Sequence, residues 1–334
     1  MSRLQKGSTI PSVASTSQEY QENRALKVTF LSREWRSSTD GDFSTFNREL
    51  AIQLAKHTNA DVSILLPNCS EEDRISAKKH NVKLIEVDGI PDQMPVLWLS
   101  RFLRNHAIDC VIGHGVDIGQ PISFIEANPI NYSHCKWIQV FSSVSQVDRL
   151  FEHFDDIRIL YKHLEMVDQV ITVGPKVGEA YRHNLMYRVN HKKNVFDLTP
   201  SIFSEFLEVR QAAEEGKTFI ILVIGSIDCS CIYFNIPEYE IAAKAIAELK
   251  DESYKLKFVY PDGGKGDIGT QNLLHYGISD NQLIVCSFDD SREVLADLFC
   301  TVDLAIMPST IKCFGIKALA ALSAGLPVLA TITR

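Results

Sequence analysis

The sequence predicts an α/β protein built of two doubly wound parallel-sheet domains, the second incomplete at its C-terminus. Three observations carry this. Short apolar strands alternate with helical patterns across residues 26–198, and the alternation starts again across 217–334. A chain of 334 residues exceeds what one compact core usually holds. Its 45% apolar and 23% charged content is that of an ordinary globular protein. Strands joined through helices pair in parallel and are covered on both faces.

In the first half, LKVTFLS (26–32) reads as a strand, and a polar loop leads into FSTFNRELAIQLAKHTN. There Phe43, Phe46, Leu50 and Leu54 recur at three- and four-residue spacing, which predicts an amphipathic helix. DVSILLP and VKLIEVD are strands around the helix EEDRISAKKHN, and VLWLSRFLRNHAI (96–108) reads as a further helix. IDCVIGHG, KWIQVFS and QVITVG are apolar strands, the last ending before a helix that begins near Pro175. Residues 199–216 read as the connection between domains, with a helical stretch SEFLEVRQAAEEG.

The second half repeats the plan. TFIILVIG, YKLKFVYP, NQLIVCSF, VDLAIMPS and LPVLATI are strands; EYEIAAKAIAELK, TQNLLHYG, SREVLADLFCT and CFGIKALAALSAG are helices. Asp and Ser residues before REVLADLF offer an N-cap, and Gly325 is placed to stop the last long helix. The second domain is short beside the first and ends just after its last strand, which suggests a truncated or alternatively spliced product. Two such domains in tandem would form a ligand cleft at the carboxyl ends of both sheets.

Bulk properties narrow the function classes. A net charge of −8 argues against a nucleic-acid or anionic-membrane surface. No segment approaches the roughly 18 apolar residues of a membrane span; the longest run, FIILVI, is strand-sized. Residues 1–25, rich in Ser, Thr and Gln, lack the apolar core of a secretory signal and read as a disordered tail. Of the eight cysteines, several lie in apolar strand-like runs, as buried thiols do, so a reducing, cytoplasmic compartment is the simplest expectation. Cys229 and Cys231 form a lone C-x-C with no second pair at ligand spacing, so no metal is expected.

Three loops would line the cleft. In DGDFSTF, Gly41 permits close backbone approach and Asp42 or Ser44 could cap the following helix, whose N–H groups suit a phosphate; a solvated turn is the plainer reading. In Gly113-His114-Gly115, a histidine between glycines at a strand end is more open to a ligand than a core histidine would be. The third loop is STIKCFGIKALAALSAGLPVLA (309–330), a strand end, a loop around Phe314-Gly315, a helix and a new strand.

Taken in order, KVTFLSREW, GDFSTFNRELAIQLAK, DCVIGHG, VDQVITVGPKVGEAYR, FIILVIG, DLAIMPS and FGIKALAALSAGLPVLA resemble the family 4 glycosyltransferases of the GT-B fold. The resemblance implies two Rossmann-like domains and transfer of a sugar from a nucleotide diphosphate donor with retention of configuration. No other cofactor is implied. It places Gly41 and Asp42 near the donor phosphates and His114, as a catalytic residue, against the transferred sugar. Gly225, Ser226, Lys312, Phe314, Gly315 and Ala320 fall at donor-binding positions. The donor sugar, its base and the acceptor are not named by any motif.

The strongest positions depart from the family pattern. Its Gly-Arg is Gly225-Ser226 here, and no Lys or Arg occurs from Ser226 to Ala243. Its Lys-Gly is Pro237-Glu238, and its two glutamates are Lys312 and Ala320. Phe314, Gly315 and the apolar frame remain. The expectation is therefore a glycosyltransferase-like protein with impaired or lost catalysis. Two alternatives stand beside it: a non-catalytic sugar-nucleotide-binding or interaction module of a larger cytosolic regulatory protein, and an NAD-dependent oxidoreductase. The latter rests on Gly264-x-Gly266-x-x-Gly269 with Asp289 further on, a pattern followed by a short, glycine-cut helix and lying second in its domain.

Overall fold

A computed structural model of the chain describes residues 24–35, 42–87, 108–115, 135–153, 157–189, 194–203, 206–209, 218–224, 238–261, 271, 273–288, 292–307 and 315–330. Among the described residues the first domain carries seven strands: β1 (Lys27–Leu31), β2 (Asp61–Leu66), β3 (Val82–Glu86), β4 (Cys110–His114), β5 (Lys136–Phe141), β6 (Gln169–Val173) and β7 (Val195–Leu198). They pair in parallel in the order β3-β2-β1-β4-β5-β6-β7. The second carries β8 (Phe219–Ile224), β9 (Tyr254–Pro261), β10 (Leu283–Phe288), β11 (Leu304–Met307) and β12 (Val328–Ala330), in the order β10-β9-β8-β11-β12. Strand order reverses between β1 and β4 and again between β8 and β11, the crevices where ligands of such sheets bind.

Helices cover the sheets: α1 (Asp42–His57), α2 (Glu71–Lys79), α3 (Val144–His153), α4 (Ile157–Met166), α5 (Pro175–Asn184), α6 (Glu238–Leu249), α7 (Arg292–Cys300) and α8 (Ile316–Ser323). Alternate residues of each strand serve opposite faces. Leu31, Leu65 and Val111 join one buried cluster, while Phe30, Ile64 and Ile112 join another. The second sheet divides in the same way, with Leu222 and Val259 on one side and Val223 and Phe258 on the other. This double burial explains why the strands read as continuous apolar runs.

One local device recurs. Asp109, Asp168 and Asp303 each precede a strand and bracket the first or second residue of its neighbour. The Asp109 N–H donates to Lys27 O at 3.0 Å while its carboxylate accepts from Lys27 N at 2.9 Å. Asp168 does the same to Trp137, at 2.9 and 2.8 Å, and Asp303 to Ile220, at 2.9 and 2.7 Å. The repeated Ile-Asp or Val-Asp before a strand (108–109, 167–168, 302–303) is thus a register mark.

Helix α8 ends as the sequence suggests. Gly325 has φ +76, its N–H bonds Leu322 O at 3.0 Å, and the Leu326 N–H bonds Ala321 O at 3.0 Å. That is the Schellman pair, with Ala321 and Leu326 buried together beside it.

Helices α3 and α4 and strand β7 exceed the sequence expectations, as do a π-helical turn at Leu185–Val189 and a 3-10 turn at Asp280–Gln282. The start of the inter-sheet segment is also more than a connection. Phe206 is buried in the second domain's core, edge-on to Phe299 at 5.8 Å and to Phe203 at 6.0 Å. Helix α1 begins at Asp42, which puts Ser44 inside its first turn, buried, and not at the cap. The N-terminal tail before residue 24, the helix read at 96–108 apart from its last residue, the C-x-C pair, the glycine pattern at 264–269 and the residues before α7 lie outside the described residues. No described helix is long and apolar enough to cross a membrane.

Candidate functional site

At the carboxyl end of β4, beside the first switch point, His114 is only 3% exposed. Its Nδ1 lies 3.0 Å from Asn47 Oδ1 and its Nε2 lies 3.0 Å from Ser142 Oγ. Asn47 comes from α1, Ser142 from the junction of β5 and α3, so one ring ties three elements together. The Asn47 amide donates to Leu31 O at 3.3 Å, which turns its carbonyl oxygen towards the ring. An oxygen acceptor there requires a proton on Nδ1. Nε2 then accepts from the Ser142 hydroxyl, and the ring is neutral. Burial favours the same form, lowering the His114 pKa to about 3.

A second layer fixes these partners. Gln146 Oε1 accepts from Ser142 N at 2.8 Å, and Gln146 N is 3.3 Å from Ser143 Oγ. Gln139 donates to Gly115 O at 3.0 Å and meets His163 Nε2 at 3.0 Å. Gly115 has φ +65, and a Cβ there would sit 3.1 Å from Gln146 Nε2, so the second glycine of Gly-His-Gly serves a turn under a packed side chain. Phe46 closes the cluster, edge-on to the imidazole at 5.7 Å.

The openness expected of His114 is therefore corrected. The flanking glycines do not expose the ring; the end of the strand is roofed by α1 and α3, which carry Asn47 and Gln146. Asn47, Ser142, Gln139, Gln146 and His163 were not singled out from the sequence. Their one signal was polar residues set among apolar neighbours, as in TFNREL and VFSSVSQV.

On the second domain, Gly315 adopts φ +74 and opens α8. That backbone favours glycine at the start of the helix. Ala320 is 4% exposed and shares a core cluster with Leu222, Phe299 and Ala305, so its methyl serves packing. Gly41, Gly225, Ser226, Lys312 and Phe314 lie outside the described residues, and Asp42 is placed only as the first residue of α1.

Helix α6 follows the segment after β8. In its first turn Glu240 is 7% exposed and paired with Lys244 one turn on. The Tyr276 hydroxyl also bonds Glu240, and Lys244 lies 5.2 Å from that ring's centroid. The hydrogen bond to Glu240 raises the Lys244 pKa, while burial, then the Glu240 charge and hydrogen bond, raise that of Tyr276. The domains meet where α8 packs on α1, with Ile316 buried in the first domain's cluster with Phe46. No group of three metal-binding side chains occurs among the described residues.

Two parallel α/β sheets in one chain, joined where α8 packs on α1, define the GT-B class of glycosyltransferase fold. The chain belongs to a family within it, described as "Family 4 Glycosyltransferase in conflict systems", which matches residues 29–333. No curated protein sequence matches it. Among solved structures, a glycosyltransferase from Rickettsia africae superposes with TM-score 0.63 at 11% identity, over 92% of this chain and 79% of its own. Anabaena HepE in complex with UDP and glucose gives 0.62 at 15% identity, over 91% and 80%. The catalytic domain of starch synthase IV from Arabidopsis thaliana, bound to ADP and acarbose, gives 0.60 at 12%, over 92% and 83%.

Proposed function

We propose that this is a glycosyltransferase-like protein of the retaining, nucleotide-sugar-dependent type in which sugar transfer is impaired or lost. The observation that carries the reading is the charge of the second wall. Departure of a nucleoside diphosphate places negative charge on the leaving oxygen, and enzymes meet it with fixed positive groups. From Ser226 to Ala243 the chain has no Lys or Arg, and the first cation beyond, Lys244, is engaged by Glu240. Losing one such contact costs on the order of a hundredfold or more in rate. Two are replaced here, with glutamates at 238 and 240 near the same helix start.

HepE, crystallised with UDP and glucose, makes UDP-sugars the first donors to try. The test is incubation with a panel of UDP- and GDP-sugars and measurement of released nucleoside diphosphate. The expected result is release at the background rate. Turnover that disappears in Ser226→Glu would overturn the reading. A second reading, a cytoplasmic sugar-nucleotide-binding or interaction module, draws on the retained Gly315 turn and on the conflict systems named for the family. It differs in predicting saturable donor binding without turnover.

A further inference from the structure

Among the described residues, the contacts across the two domains include buried apolar side chains that connect one core with the other. Ile316, the first residue of α8, is 5% exposed and sits in the cluster that includes Trp35 and Phe46 of the first domain. Phe203, from the inter-sheet segment, packs against that cluster and against the second domain's core as well. Its backbone N–H is held at 2.9 Å by Ser323 Oγ, which itself donates to Leu319 O at 2.7 Å. Ser323 is 4% exposed, so this bond is made away from water. Phe206 anchors the same segment beside Phe299.

Domains within a chain move relative to each other by default unless their contact is large and hydrophobic. Here a full Ile side chain and part of a Phe must leave their clusters for the cleft to open. We infer that Ile316 and Phe203 latch the two domains shut through protein contacts alone, and that the latch also seals the His114 cluster. The seal follows from Phe46, which joins the Ile316 cluster on one side and covers the imidazole edge on the other. A molecule the size of a nucleotide sugar would enter only through a minor, open population, and its apparent affinity falls by that fraction. The inference is independent of lost catalysis, since an active transferase could carry the same latch.

Distance measurement between genetically encoded, non-cysteine spin labels at Lys79 and Glu252, exposed positions on the two domains, tests it on the full chain. The expected wild-type result is one narrow distribution. Ile316→Ser should raise the open population about ten- to a hundredfold, as loss of a buried aliphatic contact implies, and should speed hydrogen exchange in α1 and β4. Should Ile316→Ser not fold, Ile316→Val and Phe203→Leu must each broaden the distribution by a smaller amount. A broad wild-type distribution, its narrowing by UDP-glucose, or variants indistinguishable from wild type would overturn the latch.

Discussion

Ser142 Oγ lies 3.0 Å from His114 Nε2, with the opposite ring nitrogen 3.0 Å from Asn47 Oδ1. The spacing is that of nucleophile, base and orienting group, and all three side chains are buried. The imidazole is buried and its pKa lowered to about 3, far below that of a useful general base near neutrality. No positive φ strains Ser142. The trio is a brace between α1, β4 and β5.

The brace makes stability acid-sensitive. An unfolded histidine titrates near 6.5 and the folded one near 3, so the unfolded chain binds the extra proton first. The contribution is complete above about pH 6.5 and declines by up to ~1.4 kcal/mol per unit as pH falls towards the folded value. Denaturant melts of wild type and His114→Gln between pH 7 and 4 should show a shallower loss in the variant. Equal slopes would rule the brace out as the sensor.

Removing the hydroxyl of Ser142 leaves Nε2 buried without its donor. Ser142→Ala should cost about 1–3 kcal/mol, and urea midpoints at pH 7 measure it.

Asp303 holds Ile220 at both its N–H and its carbonyl, so Asp303→Ala removes the carboxylate arm of the bracket. The expected loss is about 1–2 kcal/mol, with Asp303→Asn milder because an amide oxygen can still accept. Thermal melts rank the two, and an Asn variant as weak as the Ala one would contradict the bracket.

Gly178 in α5 has no room for a methyl. A Cβ there would stand 1.9 Å from Asp197 Oδ1, the carboxylate that accepts from Thr172 at 2.7 Å and from Arg182 at 2.8 Å. Gly178→Ala should destabilise by about 1–3 kcal/mol. In Gly178→Ala with Asp197→Ala the cost should be less than the sum of the singles, since the obstruction is gone.

Charge reversal of the second wall offers a gain-of-binding experiment. Ser226→Arg with Lys312→Glu should tighten UDP-glucose binding by calorimetry; a flat result means that the donor wall lies elsewhere. Ala320→Glu does not belong in that set. It would bury a carboxylate beside Leu222 and Phe299 and should lower stability by several kcal/mol.

Much of the architecture was readable because doubly wound sheets write themselves as apolar runs. Phe219 to Ile224 could be little else than a buried strand, and Gly325 marked its helix end through the backbone it alone adopts cheaply. β7 escaped because VFDL is an edge strand with an exposed Phe196 and a paired Asp197, so its pattern is mixed. The His114 site was half legible. Glycines on both sides mark a turn, but they do not report what roofs it, and the roof comes from Asn47 and Ser142, far away in sequence. The burial of Ala320 was not legible either: position along a motif does not tell which way a small side chain faces.

The aspartates that clasp Lys27 and Ile220 stand at the two places where winding changes direction. Alignment of the halves of each sheet is therefore fixed by a side chain next to the join and owes little to the long crossovers that reach it. Such crossovers are at liberty to lengthen, shrink or diversify between relatives while the strands stay in step, which gives evolution a place to change what the protein meets without disturbing how it is built.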